Sequence, residues 1–449
     1  MLRPMSMRNA LIAAVLVIAP LVAQANTELT IKAERTAFPV NGVQQINNDK
    51  KPPANQTIHL TIGNRWVQWA DGNGRGVYDF AKRLNIRVDP AARRLVEESL
   101  FATLSSRGME LDNRLMSGET VNSVKAEDNP VSPTIAEHQL SIRRDGKQPS
   151  GIERKSGDGA QRYFWQEKEL FSYSTKLVPL PAAARDLYIR YVRYSVGGHP
   201  DILADLQKLD GIPKWLQYRD PAYGDAVRLE VIEIKESPDA HYTLPPLEKT
   251  TLKNPQAAAA AAIVLASTPE SRAAASARIL ATANAAADSG KPLEAVLGYF
   301  EGRLMVDGDL PPDFTQRADR LLNDANVKRF RDALQVSSPA QAKISVATLT
   351  ALAPLAGDKA YVTGIFRANM EWRLDNAKTA TDLLVTALTK NPFITGVWKD
   401  LGQSLGSGND PADAWRCYAI ARMINPTHGL LGDINNLEAA LTRDYPEYF

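Results

Sequence analysis

The sequence predicts an α+β protein of more than one domain, in which an antiparallel, β-rich N-terminal domain is followed by an all-α solenoid of helical hairpins. Three observations carry that expectation. Residues 57–100 form a run of short alternating stretches punctuated by Gly, Asn, Asp and Pro. Prolines gather between residues 236 and 255. Residues 361–394 recur, offset by 34, as residues 395–428. With 449 residues, 44 % of them hydrophobic and 23 % charged, the chain has the length of two or three domains and an ordinary globular composition. Lysine and arginine number 53 against 51 acidic residues, so no global field steers the molecule onto nucleic acid, and none is expected as a partner.

At the N-terminus, Arg3 and Arg8 precede an apolar stretch over residues 10–22, and Ala23-Gln24-Ala25 has the small-x-small form of a cleavage site. This is the pattern of an export signal over residues 1–25. Cleavage after Ala25 is expected, which gives a periplasmic or secreted protein beginning near Asn26. Pro20 interrupts the apolar run, which is shorter than the roughly 20 residues a bilayer span needs, so no stable membrane span is expected after cleavage. No cysteine follows the site, which argues against a lipid anchor. Cys417, the sole cysteine, cannot close an internal disulfide and is expected as a packed thiol.

The α+β domain is expected over residues 26–235. Strands are predicted at 57–62, 65–70, 76–80, 85–89 and 94–99, the arrangement of an antiparallel meander. Gly72-Asn73-Gly74-Arg75-Gly76 has the composition of a phosphate loop, but no helical pattern follows to supply the anion site, so a hairpin turn is predicted. A helix is expected at 101–115, then a polar stretch with Pro130 and Pro133 as breakers. Further strands are predicted at 163–165, 171–178, 213–219 and 226–234, with helices at 182–196 and 202–209.

This succession of short strands, with a final strand pair after helices, loosely resembles bacterial periplasmic half-barrels such as the outer-membrane lipoprotein carriers, over about residues 55–235. The resemblance implies a concave sheet sheltering an apolar ligand, possible lining being Trp66, Trp69, Phe80, Tyr163, Trp165 and Phe171. An ordinary sheet core is the favoured role for these aromatics.

Pro238, Pro245, Pro246 and Pro255 stand among charged and threonine residues, the composition of an extended linker, expected over residues 236–255. Beyond it the helical domain is expected over residues 256–449. Alanine-rich helical segments are predicted at 256–266, 271–288, 293–305, 312–322, 328–336 and 340–352, stacking as hairpins. Only the last two units keep a repeat signature.

In those units Ala368 recurs as Gly402, Ala380 as Ala414, Leu384 as Tyr418, Ala387 as Ala421 and Pro392 as Pro426. A period of 34 is that of a helix–turn–helix repeat. Trp398, Leu401 and Gly402 share one face of the first helix, and Ala414, Tyr418 and Ala421 one face of the second. Gly402 and Ala414 are small so that the pair approaches closely. Asp410, Pro411 and Asp413 suit a helix start. Residues 430–441 are predicted as a terminal capping helix.

With the opening Trp398-x-x-Leu401-Gly402 and the alanine, aromatic, alanine and proline that follow, residues 361–428 resemble the tetratricopeptide repeat family. The resemblance implies a concave groove, lined by the first helix of each repeat, that binds a protein. Carried over position by position, the partner-binding residues are Ile365, Asn369, Trp372, Arg373, Lys399 and Gln403, with Val362 and Gly396 beside them. Ile365 stands where the family's carboxylate clamp has lysine, so an acidic peptide terminus is not expected.

No catalytic constellation converges. Gly402-x-Ser404-x-Gly406 matches a nucleophile elbow in letters only, because that device needs a strand entering a sharp turn and Ser404 is predicted within a helix. His59, His138, His199, His241 and His428 are scattered without metal spacing, and no cofactor motif occurs. The expectation is a non-catalytic envelope scaffold that binds a protein through its C-terminal repeats. The alternative is a carrier or sensor of a lipid or other apolar ligand through the N-terminal domain.

Overall fold

The structure, a computed structural model, describes residues 25–37, 55–121, 132–143, 150–306 and 312–449. The expected export signal lies outside the described residues except for Ala25. In the N-terminal half, strands β1 (Asn26–Ala37), β2 (Gln56–Gly63), β3 (Trp66–Asp71), β4 (Gly74–Asp79), β5 (Leu84–Asp89) and β6 (Arg94–Ser99) lead into helix α1 (Leu100–Val121). Helix α2 (Pro133–Leu140) precedes β7 (Glu153–Gly157), β8 (Ala160–Trp165), β9 (Lys168–Ser174) and β10 (Leu177–Val178). Helices α3 (Ala182–Ser195) and α4 (Pro200–Gln207) follow. Strands β11 (Ile212–Pro213), β12 (Trp215–Asp220), β13 (Asp225–Ser237) and β14 (Glu248–Lys249) complete this half.

Twelve of these strands form one sheet in the order β14-β6-β5-β4-β3-β2-β1-β13-β12-β9-β8-β7, while β10 and β11 pair separately. Every pairing is antiparallel except that of β14 with β6. The meander over residues 57–100 is thus present, and the glycine-rich stretch is its β3–β4 turn: Asp71 Oδ1 accepts from the amides of Asn73 (2.8 Å) and Gly74 (2.9 Å). At the centre stands β1, a strand absent from the sequence expectation. It joins the meander to β13, which returns some two hundred residues later. Its Leu29, Ile31 and Ala33 alternate inward between polar neighbours, the pattern of a strand with one buried face.

Helices α3 and α4 cover that inner face. Tyr188 and Val192 of α3 and Ile202, Leu203 and Leu206 of α4 pack on Leu29, Ile31, Leu60, Phe80, Phe171, Leu216 and Leu229 in one core. Each fully buried side chain of this kind contributes roughly 1.5–3 kcal/mol. Phe80, Tyr163 and Phe171 are therefore core residues, with Trp165 packed against them. Trp66 points to the opposite face, where its ring meets His241 at 6.0 Å and Tyr242 at 5.5 Å. Of the six aromatics, Trp69 borders a cavity on the inner face of the sheet.

The proline-rich segment after β13 runs back across that opposite face. Tyr242, Leu244 and Leu247 cover Trp66, Val77, Ile86 and Leu95, the Tyr242 hydroxyl donates to Asp79 Oδ2 at 2.6 Å, and β14 adds to the sheet edge. Pro133 is not a breaker. It opens α2, whose N-cap Ser132 accepts from the Ile135 amide, a position where a missing N–H costs nothing.

The C-terminal half is all helical: α5 (Pro255–Leu265), α6 (Pro269–Asp288), α7 (Pro292–Met305), α8 (Pro312–Leu322), α9 (Ala325–Ala333), α10 (Pro339–Leu352), α11 (Ala360–Arg373), α12 (Ala377–Lys390), α13 (Thr395–Ser407), α14 (Pro411–Ile424) and α15 (Gly432–Asp444). Consecutive helices pack in pairs, among them α6 with α7, α11 with α12 and α13 with α14. Proline in the first turn and side-chain caps at Asn254, Thr268, Ser338 and Asp410 start several of them.

A buried polar cluster ties the pairs together. Glu301 of α7, 0 % exposed, accepts from Lys359 Nζ at 2.6 Å and from the Tyr361 hydroxyl and Asn391 Nδ2, both at 2.5 Å. The two halves are also in contact. Phe101 of α1 stacks on Trp415 of α14 at 4.9 Å, and buried Tyr448 donates to the Ser141 carbonyl at 2.7 Å while accepting from Arg107.

Candidate functional site

The site is built on the last two helix pairs. Trp398 is wholly buried in α13, where its indole N–H donates to the Pro392 carbonyl at 2.7 Å, and Gly402 lies one turn further under Tyr418 of α14. Asp410 caps α14 by accepting from the Asp413 amide. This close crossing holds α13 as the floor of a cleft of about 770 Å³. Asn369, Trp372 and Arg373 of α11 form one wall, and Asp433, Ile434 and Leu437 of α15 form the other.

Five of the six residues expected to bind a partner line this one cleft: Asn369, Trp372, Arg373, Lys399 and Gln403. Ile365 does not. It is 2 % exposed and belongs to the core that α11 shares with α12 and α13, because the apolar face of α11 that carries it turns inward. Val362 is likewise in the core, and Gly396 is packed beneath Leu304 and Leu430.

The cleft mixes apolar and charged groups. Trp372 is 50 % exposed and Leu437 43 % exposed, so two large apolar side chains face water across it. Trp is among the side chains that most often anchor binding energy when covered. On the floor, Lys399 Nζ donates to Gln403 Oε1 at 3.0 Å and lies 3.4 Å from Asp400 and 4.0 Å from Asp433. Burial raises the Asp400 carboxyl above its usual range, against the opposing pull of Lys399 and of Asn369. Arg373 is partly committed, since its guanidinium donates to the Val336 carbonyl at 2.9 Å.

Asp400, Asp433, Ile434 and Leu437 were not legible as site residues. The terminal helix reads as amphipathic in the sequence, but only its docking beside α13 turns that face into a wall.

Ser404 also borders the cleft, inside α13, with its hydroxyl 2.8 Å from that of Thr381. The buried Cys417 thiol is pushed above its ordinary range by desolvation. Among the described residues no group of three His, Cys, Asp or Glu side chains is placed to hold a metal ion, and no helix is long and apolar enough to cross a membrane. No family model matches the chain, and neither a curated protein nor a solved structure matches it.

Proposed function

We propose that the protein is an exported, non-catalytic scaffold of the cell envelope whose C-terminal cleft binds a segment of a partner protein. The observation that carries this reading is the convergence of Asn369, Trp372, Arg373, Lys399 and Gln403 on one cleft of about 770 Å³, faced by exposed Leu437. Trp372 and Leu437 receive an apolar side chain of the partner. Lys399, Asp400, Gln403 and Asp433 offer donors and acceptors of both signs, which suits a polar, uncharged stretch of polypeptide better than a strongly acidic or basic one.

The test is capture of partners from envelope extract by the wild type and by the Trp372→Ala/Leu437→Ala variant. Both substituted side chains are exposed, so folding survives. A partner retained by the wild type and lost by the variant supports the cleft; an identical set of partners overturns it.

A further inference from the structure

We propose that the inner face of the N-terminal sheet binds a neutral oligosaccharide, two linked sugar rings of which fill the chambers that meet at Trp69. One chamber, of about 300 Å³, lies between β1–β5, β13 and the C-terminal end of α3, a size at which small-molecule sites begin. The other, of about 400 Å³, lies toward β6. Trp69, Asp71 and Arg87 border both, so a ligand that occupies the two passes the indole with a carboxylate and a guanidinium beside it.

Trp69 is a platform because of the strand it lies against. Position 76 on β4 is glycine, and a Cβ there would stand 2.9 Å from the indole Cε2 and Cζ2. The ring thus rests on bare backbone, which a side chain would push away. A sugar ring carries C–H groups on its faces that pack on an aromatic surface, and its hydroxyls project from the edge.

The polar groups decide the ligand class. Asp71 Oδ1 accepts the two amides of its turn, and its Oδ2 has no partner among the described residues. Arg35 is exposed and makes neither hydrogen bond nor ion pair among them. Arg87 uses Nη2 on Glu98 at 3.0 Å, and Gln56 accepts Asn73 Nδ2 on its Oε1, with its own Nε2 uncommitted. A carboxylate only accepts and a guanidinium only donates, whereas a sugar hydroxyl does both, so adjacent hydroxyls satisfy the two kinds of group side by side. Arg35 and Arg87 stand against Asp71 and Glu98, a balance of charge that favours a neutral ligand over an ionic one. An acyl chain does not fit, since it would strip these groups of water and return no hydrogen bond. The site is separate from the helical cleft and does not rest on it.

The experiment titrates the full chain with maltose, cellobiose and N,N′-diacetylchitobiose, and with glucose and N-acetylglucosamine, followed by ligand-observed NMR. The expected result is saturable binding of at least one disaccharide, roughly tenfold tighter than its own monosaccharide because only the disaccharide reaches both chambers. Trp69→Ala lowers that affinity about tenfold. Arg35→Gln, on an exposed side chain that holds nothing else, lowers it roughly threefold. Circular dichroism establishes that each variant is folded, and Arg35→Gln carries the test should Trp69→Ala not fold. Absence of binding by all three disaccharides overturns the site, as does an unaltered affinity in either folded variant. Equal affinity for a disaccharide and its monosaccharide overturns the two-chamber arrangement.

Discussion

Gly402 lies directly beneath the ring of Tyr418: a Cβ built on it would stand 2.3 Å from Tyr418 Cε1 and 3.0 Å from the Ala414 carbonyl oxygen. The close approach of α13 and α14 therefore depends on a missing side chain, with the Tyr418 ring and the Ala414 backbone both bounding the space a Cβ would take. Gly402→Ala is expected to destabilise the protein by about 1–3 kcal/mol through overpacking, even though alanine is the better helix former. Urea unfolding measures it, and a wild-type midpoint for the variant would show that the helices are not that close.

The Glu301 cluster makes a different prediction. Lys359→Met removes the cation from a carboxylate that is 0 % exposed and whose cation is itself only 5 % exposed, which costs about 3–5 kcal/mol. Lys359→Met/Glu301→Leu removes both charges and recovers most of that loss, although Tyr361 and Asn391 lose their acceptor. Equal destabilisation of the single and double variants, read from denaturant melts, would mean that packing and not charge holds this region.

Acid sensitivity follows from His138. Burial pushes its imidazole down to about 3, its Nδ1 accepts the His199 amide at 3.0 Å, and its ring stacks on Tyr218. A folded value below the unfolded one means that the unfolded chain takes the proton first. The neutral ring's stabilisation is complete above pH 6.5 and is lost as pH falls toward 3. Between pH 7 and pH 5 the wild type should lose about 2 kcal/mol more than a His138→Gln variant. Parallel pH profiles for the two proteins would remove His138 as the cause.

Tyr448 joins the halves, through its hydroxyl to Ser141 and Arg107 and its ring edge-on to Tyr194 at 5.4 Å. Tyr448→Ala should cost about 3–5 kcal/mol and split a single thermal transition into two. Calorimetry distinguishes the outcomes; one unshifted transition would show that the halves are coupled elsewhere.

Local chemistry made much of this legible. The meander, its Asp71 turn, the Asp410 cap and the Gly402–Tyr418 crossing all rest on residues near one another in sequence. Long-range relations were not. The central strand β1 finds β13 across most of the N-terminal half, and its short apolar alternation gives no hint of that pairing. Pro133 serves equally to stop or to start a helix, and only the Ser132 cap decides. Ile365 was placed in the groove by analogy of position, whereas the packing of α11 against two neighbours buries it.

Site-specific photocrosslinking in the native envelope tests the proposed cleft most directly. A photoreactive residue is placed at Asn369 or Leu437, inside the cleft, and at Thr386, which is exposed on α12 outside it. The expected result is a discrete adduct from positions 369 and 437, abolished by Trp372→Ala, with none from position 386. Adducts from all three positions alike, or none from the cleft, would contradict the assignment.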